Sequence, residues 1–109
     1  MEVRYKDKNL REICEKKAAA EKKLGAASAR KLKVRLLALE AATCVTDLVA
    51  GNPHPLKGDR LGHFALDLAG GWRLVFAPAH DPCPTRPDGS IEWSEITIIS
   101  IEFIGDYHD

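Results

Sequence analysis

A chain of 109 residues is long enough for one domain with its own core and too short for two. Its 45% apolar and 29% charged residues fit a globular protein, and no apolar run nears the roughly 20 residues of a membrane span. The opening MEVRYKDKNL lacks the apolar stretch of a signal peptide, so the cytoplasm is the expected compartment.

The zero net charge hides an asymmetry. Residues 1–43 hold twelve Lys/Arg against six Asp/Glu, while residues 44–109 hold four against ten. Such a split fits a polyanion or an acidic partner on one side, or merely solvated helix faces. Cys14, Cys44 and Cys83 are widely spaced with no CxxC, so neither a disulfide framework nor a zinc ribbon is indicated. Cys14 and Cys44 fall in helical patterns, and Cys83, between two prolines, reads as an exposed thiol.

Glu2 to Lys6 alternates, with Val3 and Tyr5 on one side, and predicts a short strand. Asp7 or Asn9 can cap a helix whose apolar face is Leu10, Ile13 and Cys14. Lys16 to Leu24 favours helix by propensity but offers little to bury, and Gly25 punctuates it. From Ala26 to Thr43, Leu32, Leu36, Leu39 and Thr43 recur at helical spacing, with Arg30, Lys31, Lys33 and Arg35 on the remaining surface. That basic run suits nucleic-acid phosphates, an acidic protein segment or plain solvation. Thr46 and Asp47 read as the N-cap of a short helical turn stopped by Gly51 and Pro53.

His63 to Leu68 and Trp72 to Phe76 both alternate, and the turn between them sets the register. A Gly70-Gly71 loop would pair Leu68 with Arg73 and split the apolar faces. A three-residue Ala69-Gly70-Gly71 loop pairs Leu68 with Trp72, Leu66 with Leu74 and Phe64 with Phe76. The second register places Asp67 opposite Arg73 on the non-core face, with His63 further along it. Pro78 to Ser90, rich in proline, predicts a long loop that is either functional or mobile. Ile96 to Ile104 is almost wholly β-branched, as in a central strand covered on both sides. The expected fold class is α+β: a small, mostly antiparallel β-sheet with two N-terminal helices on one face, in the order β-α-α-β-β-β, as a single domain over 1–109.

His54, Lys57, Arg73, Asp106, Tyr107 and His108 supply the parts for phosphodiester chemistry. Cations stabilise charge growing on phosphate oxygens, and His or Tyr moves protons at a ribose 2′-OH. The bland alternative pairs Arg73 with Asp67 and leaves the terminal residues as a frayed end. His80-x-x-Cys83 with other histidines is a weak metal set, because no second matched pair accompanies it. Gly58, Gly62, Gly70 and Gly71 fit neither a P-loop nor a dinucleotide fingerprint.

Two stretches, HPLKGDRLGHFALDLAGGWRLVF from His54 and ITIISIEFIGDYH ending at His108, together with the strand and helices that precede them, resemble the RelE/ParE superfamily of bacterial toxins. The similarity is greatest to its HigB-type branch, the plasmid maintenance system killer proteins, and spans essentially the whole chain. It implies the toxin of a type II toxin–antitoxin pair, a metal-independent and cofactor-free endoribonuclease that cuts mRNA on the ribosome through a 2′,3′-cyclic phosphate. Implied partners are a helix-turn-helix (HigA-like) antitoxin, the ribosome and mRNA, with DNA met only through the antitoxin and no membrane. By matching position, Arg73 would stabilise the transition-state phosphate and His108 would transfer protons, with Tyr107 beside it and Lys57 in the catalytic set. His54, Asp106 and Arg60 would bind and orient substrate. Two other functions fit the same fold: a ParE-like, non-catalytic inhibitor of DNA gyrase, and a degenerate toxin that only binds its antitoxin.

Overall fold

The structure, a computed structural model, describes residues 1–106. Its helical half starts where the Asp7 carboxylate accepts a hydrogen bond from the Leu10 amide at 2.8 Å, closing one of the unpaired N–H groups of a helix start. Strand β1 (Glu2–Tyr5) precedes this cap, and α1 (Lys8–Glu15) follows it. The backbone is extended at Lys16, so the helical stretch before Gly25 is two helices, α1 and α2 (Lys17–Leu24), and α3 (Ala26–Ala41) makes three where two were expected. The run judged poor in burial still sends Ala20 and Leu24 into the core.

The turn after α3 spans Val45–Asp47 with Cys44 at its N-cap, where the sequence suggests Thr46 or Asp47. Asp47 closes it: its carboxylate accepts from the amides of Thr43 and Cys44 at 3.1 and 3.3 Å. Strands β2 (His54–Pro55), β3 (Phe64–Asp67), β4 (Trp72–Pro78) and β5 (Ile98–Asp106) complete the fold. β2 escapes a sequence reading because it is two residues long and flanked by proline. The sheet order is β1-β5-β4-β3-β2, with β1 parallel to β5 and every other pair antiparallel. The architecture is thus the expected α+β, with five strands.

The β3–β4 register is the one that the three-residue loop requires: Phe64 pairs with Phe76, Leu66 with Leu74 and Asp67 with Arg73. Gly70 and Gly71 take φ of +60° and +84°, which residues with a Cβ rarely adopt in succession. The tip of this hairpin is pinned to α3. The buried Ser28 hydroxyl donates to the Ala69 carbonyl at 3.1 Å and accepts from its amide at 3.2 Å.

Leu66, Leu74, Phe76, Ile99, Ile101 and Ile104 face the helices and join Leu10, Ile13, Leu24, Leu32, Leu36 and Leu39 in the main core. Ile101 and Ile104 share this face although three residues apart, because the register shifts by one residue between Val75 and Phe76 and leaves Glu102 as a bulge. The Pro78–Ser90 segment is tied down rather than open. The Arg86 amide donates to the Ser90 carbonyl at 2.7 Å, and Thr85 bridges to Ile91. Cys83 is half-buried against the core, not the exposed thiol its sequence setting predicts.

Candidate functional site

Strand alternation puts Ala65, Asp67, Arg73, Val75, Phe103 and Gly105 on the sheet face away from the helices. Two cross-strand rows organise it. One runs His54, Ala65, Val75, Phe103, and the next runs Asp67, Arg73, Gly105. Leu56, whose amide donates to the His63 carbonyl at 2.9 Å, covers Ala65 and Val75, and Phe103 packs against the three. This second apolar cluster is fully buried at Ala65 and Val75, so the face opposite the helices has a dry floor.

Polar groups rim that floor. The Arg73 side chain, 20% exposed, has its Nε 3.5 Å from Asp67 Oδ1, an ion pair without a well-formed hydrogen bond. Asp67 Oδ2 accepts a long bond from Asn52 Nδ2 at 3.5 Å. His54 Nδ1 lies 2.7 Å from the Asn52 carbonyl; a carbonyl only accepts, so Nδ1 carries the proton and Nε2 is the lone-pair nitrogen of the neutral ring. His63 Nδ1 and Asp67 Oδ1 are buried with no hydrogen-bond partner among the described residues. Buried polar atoms are rarely left so, and both belong to this face or its edge.

The loop between β2 and β3 brings further charge. Lys57 is exposed at the start of the Gly58–Arg60 turn, and the Arg60 guanidinium sits 4.4 Å from the centre of the Phe103 ring. That ring lies across Gly105: a Cβ at 105 would stand 2.5 Å from its tip. Of the four Lys/Arg beyond residue 43, three (Lys57, Arg60 and Arg73) border or occupy this face.

The structure therefore brings Arg73 and His54 onto one face, with Lys57 and Arg60 in the loop beside it. Asp106 pairs with Trp72, the row next to Arg73 and Gly105, which alternation places on the other side of the sheet. Tyr107 and His108 lie outside the described residues. Sequence reasoning missed Phe103, Gly105 and Asn52. A glycine inside a strand marks a close approach, and that signal at Gly105 was available. Arg35, counted with the basic surface of α3, instead donates through Nε to the Asp67 carbonyl at 3.0 Å and packs on Gly51. His80 is likewise structural, its Nε2 accepting from the amides of Thr97 and Ile98 at 2.9 and 3.2 Å.

Two clefts lie elsewhere: one of 690 Å³ beside β1 and α1, the other of 430 Å³ between the helices. Next to the second, burial and then the Glu15 charge push the Cys14 thiol up to about 12, which makes it unreactive near neutrality. A single-stranded polyanion needs an open strip with cations and aromatic surface rather than an enclosed hole, so the sheet face is the better candidate.

No protein-family model matches the chain, and no curated protein matches it. Its fold does match a solved structure, a YoeB/ParE toxin from Agrobacterium tumefaciens, with a TM-score of 0.60. The match covers 99% of this chain and 100% of that one at 12% identity. At that identity the likeness is one of fold: a five-stranded sheet with helices packed on one face. Among the described residues no helix is long and apolar enough to cross a membrane.

Proposed function

We propose that this chain is the toxin of a toxin–antitoxin pair and that it acts as an endoribonuclease on mRNA at the ribosome. The observation that carries the reading is Arg73: a largely buried guanidinium on a dry sheet face that also carries His54 and is bordered by Lys57 and Arg60. A guanidinium held by an acid at 3.5 Å, without a formed hydrogen bond, is ready to exchange that acid for a phosphate, which accepts from it in a bidentate fork.

In the proposed reaction a ribose 2′-O attacks the adjacent phosphorus in line. The 2′-O–P bond forms and the P–O5′ bond breaks, giving a 2′,3′-cyclic phosphate and a 5′-hydroxyl. Arg73 stabilises the charge that grows on the non-bridging oxygens. His108 takes and returns the protons, with Tyr107 beside it, while His54, Lys57 and Arg60 hold flanking phosphates. In sequence His108 follows two residues after Asp106, which ends the strand that pairs with β4. Asp106 serves by orienting that end rather than by touching substrate.

The antitoxin is the proposed protein partner. Val34 and Leu37, 55% and 58% exposed, lie one turn apart on α3 beside Arg30, Lys31 and Lys33, an apolar stripe with a basic border that suits an acidic amphipathic segment.

Expression of the chain alone, with protein synthesis and DNA integrity followed in time, tests the reading. Translation arrest with broken mRNA is expected first. Arg73→Ala should lower cleavage by about 100- to 1000-fold, the scale for removing one transition-state donor. DNA damage before translation arrest would instead favour a gyrase inhibitor on the same fold. Antitoxin binding with no toxicity would mark a degenerate toxin.

A further inference from the structure

The Phe103 ring is held in a way that hydrophobic burial alone does not require. Its tip lies on Gly105, where any Cβ would meet it at 2.5 Å, and one face carries the Arg60 guanidinium at 4.4 Å. Phe103 also packs against Leu56, Ala65 and Val75, which fixes it in place, yet it is only partly buried. Gly105 pairs directly with Arg73. Phe103 and Arg73 are thus diagonal neighbours in adjacent rows, about 7–8 Å apart by sheet geometry.

We propose that Phe103 is a stacking platform for an unpaired nucleobase next to the phosphate held by Arg73, and that Arg60 is its movable cover. The inference rests on the endoribonuclease reading and adds a subsite to it. Every base presents a π-face, so a ring fixed beside a phosphate site takes a base without needing hydrogen bonds to it. A stacked base contributes more than a cation over a partly exposed ring, so the base displaces the Arg60 guanidinium from the ring face. Arg60, on a short turn in the loop that also carries Lys57, has further interactions besides the ring and keeps its charge beside the phosphate path. Gly105 is the residue that leaves room for the ring tip, and it acts by positioning.

The test is titration of the full chain with a short oligoribonucleotide carrying one 2-aminopurine, whose fluorescence falls when it stacks. Native protein should quench the probe on binding. Phe103→Leu, which keeps the apolar contact and removes the π-face, should bind about tenfold more weakly and without quenching. Phe103→Trp should keep both affinity and quenching. Gly105→Ala leaves the ring in the chain but pushes it off its seat, and should behave like Phe103→Leu. Thermal unfolding of each variant separates lost stacking from lost folding. Binding without quenching by native protein, or equal behaviour of native and Phe103→Leu, overturns the platform and leaves the ribonuclease reading standing. No binding at all, with intact mRNA in cells, overturns both.

Discussion

On the helix side of β4, Leu74 and Phe76 are fully buried beneath α1, α2 and α3; on the other side of the same strand, Arg73 and Val75 lie under a cover of only a few side chains. Both faces exclude water at their centres. The first does so with a core of aliphatic and aromatic residues from every major element, and tolerates no charge. The second does so with Leu56, Ala65, Val75 and Phe103, and surrounds that floor with His54, Asp67 and Arg73. A small apolar floor lowers the local dielectric, which strengthens whatever Arg73 does to a phosphate without holding the whole fold together. The contrast teaches where stability and chemistry should separate when residues are changed.

The largest expected effect is on the helix side. Phe76→Ala should cost roughly 3–5 kcal/mol of unfolding free energy in a denaturant titration, because the site is closed on all sides. Its counterpart Phe103→Leu should cost less than about 1.5 kcal/mol while altering RNA binding. Equal losses at the two positions would break the distinction between the faces. Ser28→Ala sits between these. It leaves the Ala69 amide and carbonyl at the hairpin tip without their partner and should cost about 1–3 kcal/mol. Its effect on cleavage should follow stability alone.

Two smaller effects sharpen the comparison. Asp67→Asn removes the acid that faces Arg73 and should change stability by at most about 1 kcal/mol, since Asp67 is 40% exposed. It should raise RNA affinity measurably, and an unchanged affinity would show that the ion pair does not compete with substrate. On the helix side, Cys14 has its folded pKa raised to about 12, so the folded state holds its proton where the unfolded thiol, near 9, has lost it. The thiol's contribution is full below pH 9 and is lost as pH rises towards 12. Cys14→Ala should therefore flatten the alkaline decline in melting temperature, with thiol-reagent kinetics showing little reaction near neutrality.

The helix side was largely legible in the sequence. Asp7 or Asn9 marks the first cap, the glycines after Ala69 fix the hairpin register, and that register alone sends Leu74 and Phe76 inward and Arg73 outward. The open face was legible only in part. Arg73, its Asp67 partner and His54 could be named, but not the floor beneath them. Leu56 lies in a loop with no periodicity, and the β-branched run of β5 gives no alternation from which to assign faces. The bulge at Glu102 then reverses the parity between Ile101 and Phe103, a feature that pairing across strands reveals and composition does not. Arg60 could be proposed as a substrate contact, yet its seat on Phe103 depends on a turn geometry that no motif encodes. Tyr107 and His108 remain proposals from the sequence resemblance.

The central claim is that the Arg73 face cleaves RNA. Purified chain added to ribosomes carrying a defined mRNA, with the product ends identified chemically, tests it directly. The account predicts 2′,3′-cyclic phosphate and 5′-hydroxyl ends from native protein and almost none from folded Arg73→Ala. Intact mRNA with native protein, or cleavage undiminished in Arg73→Ala, would contradict it.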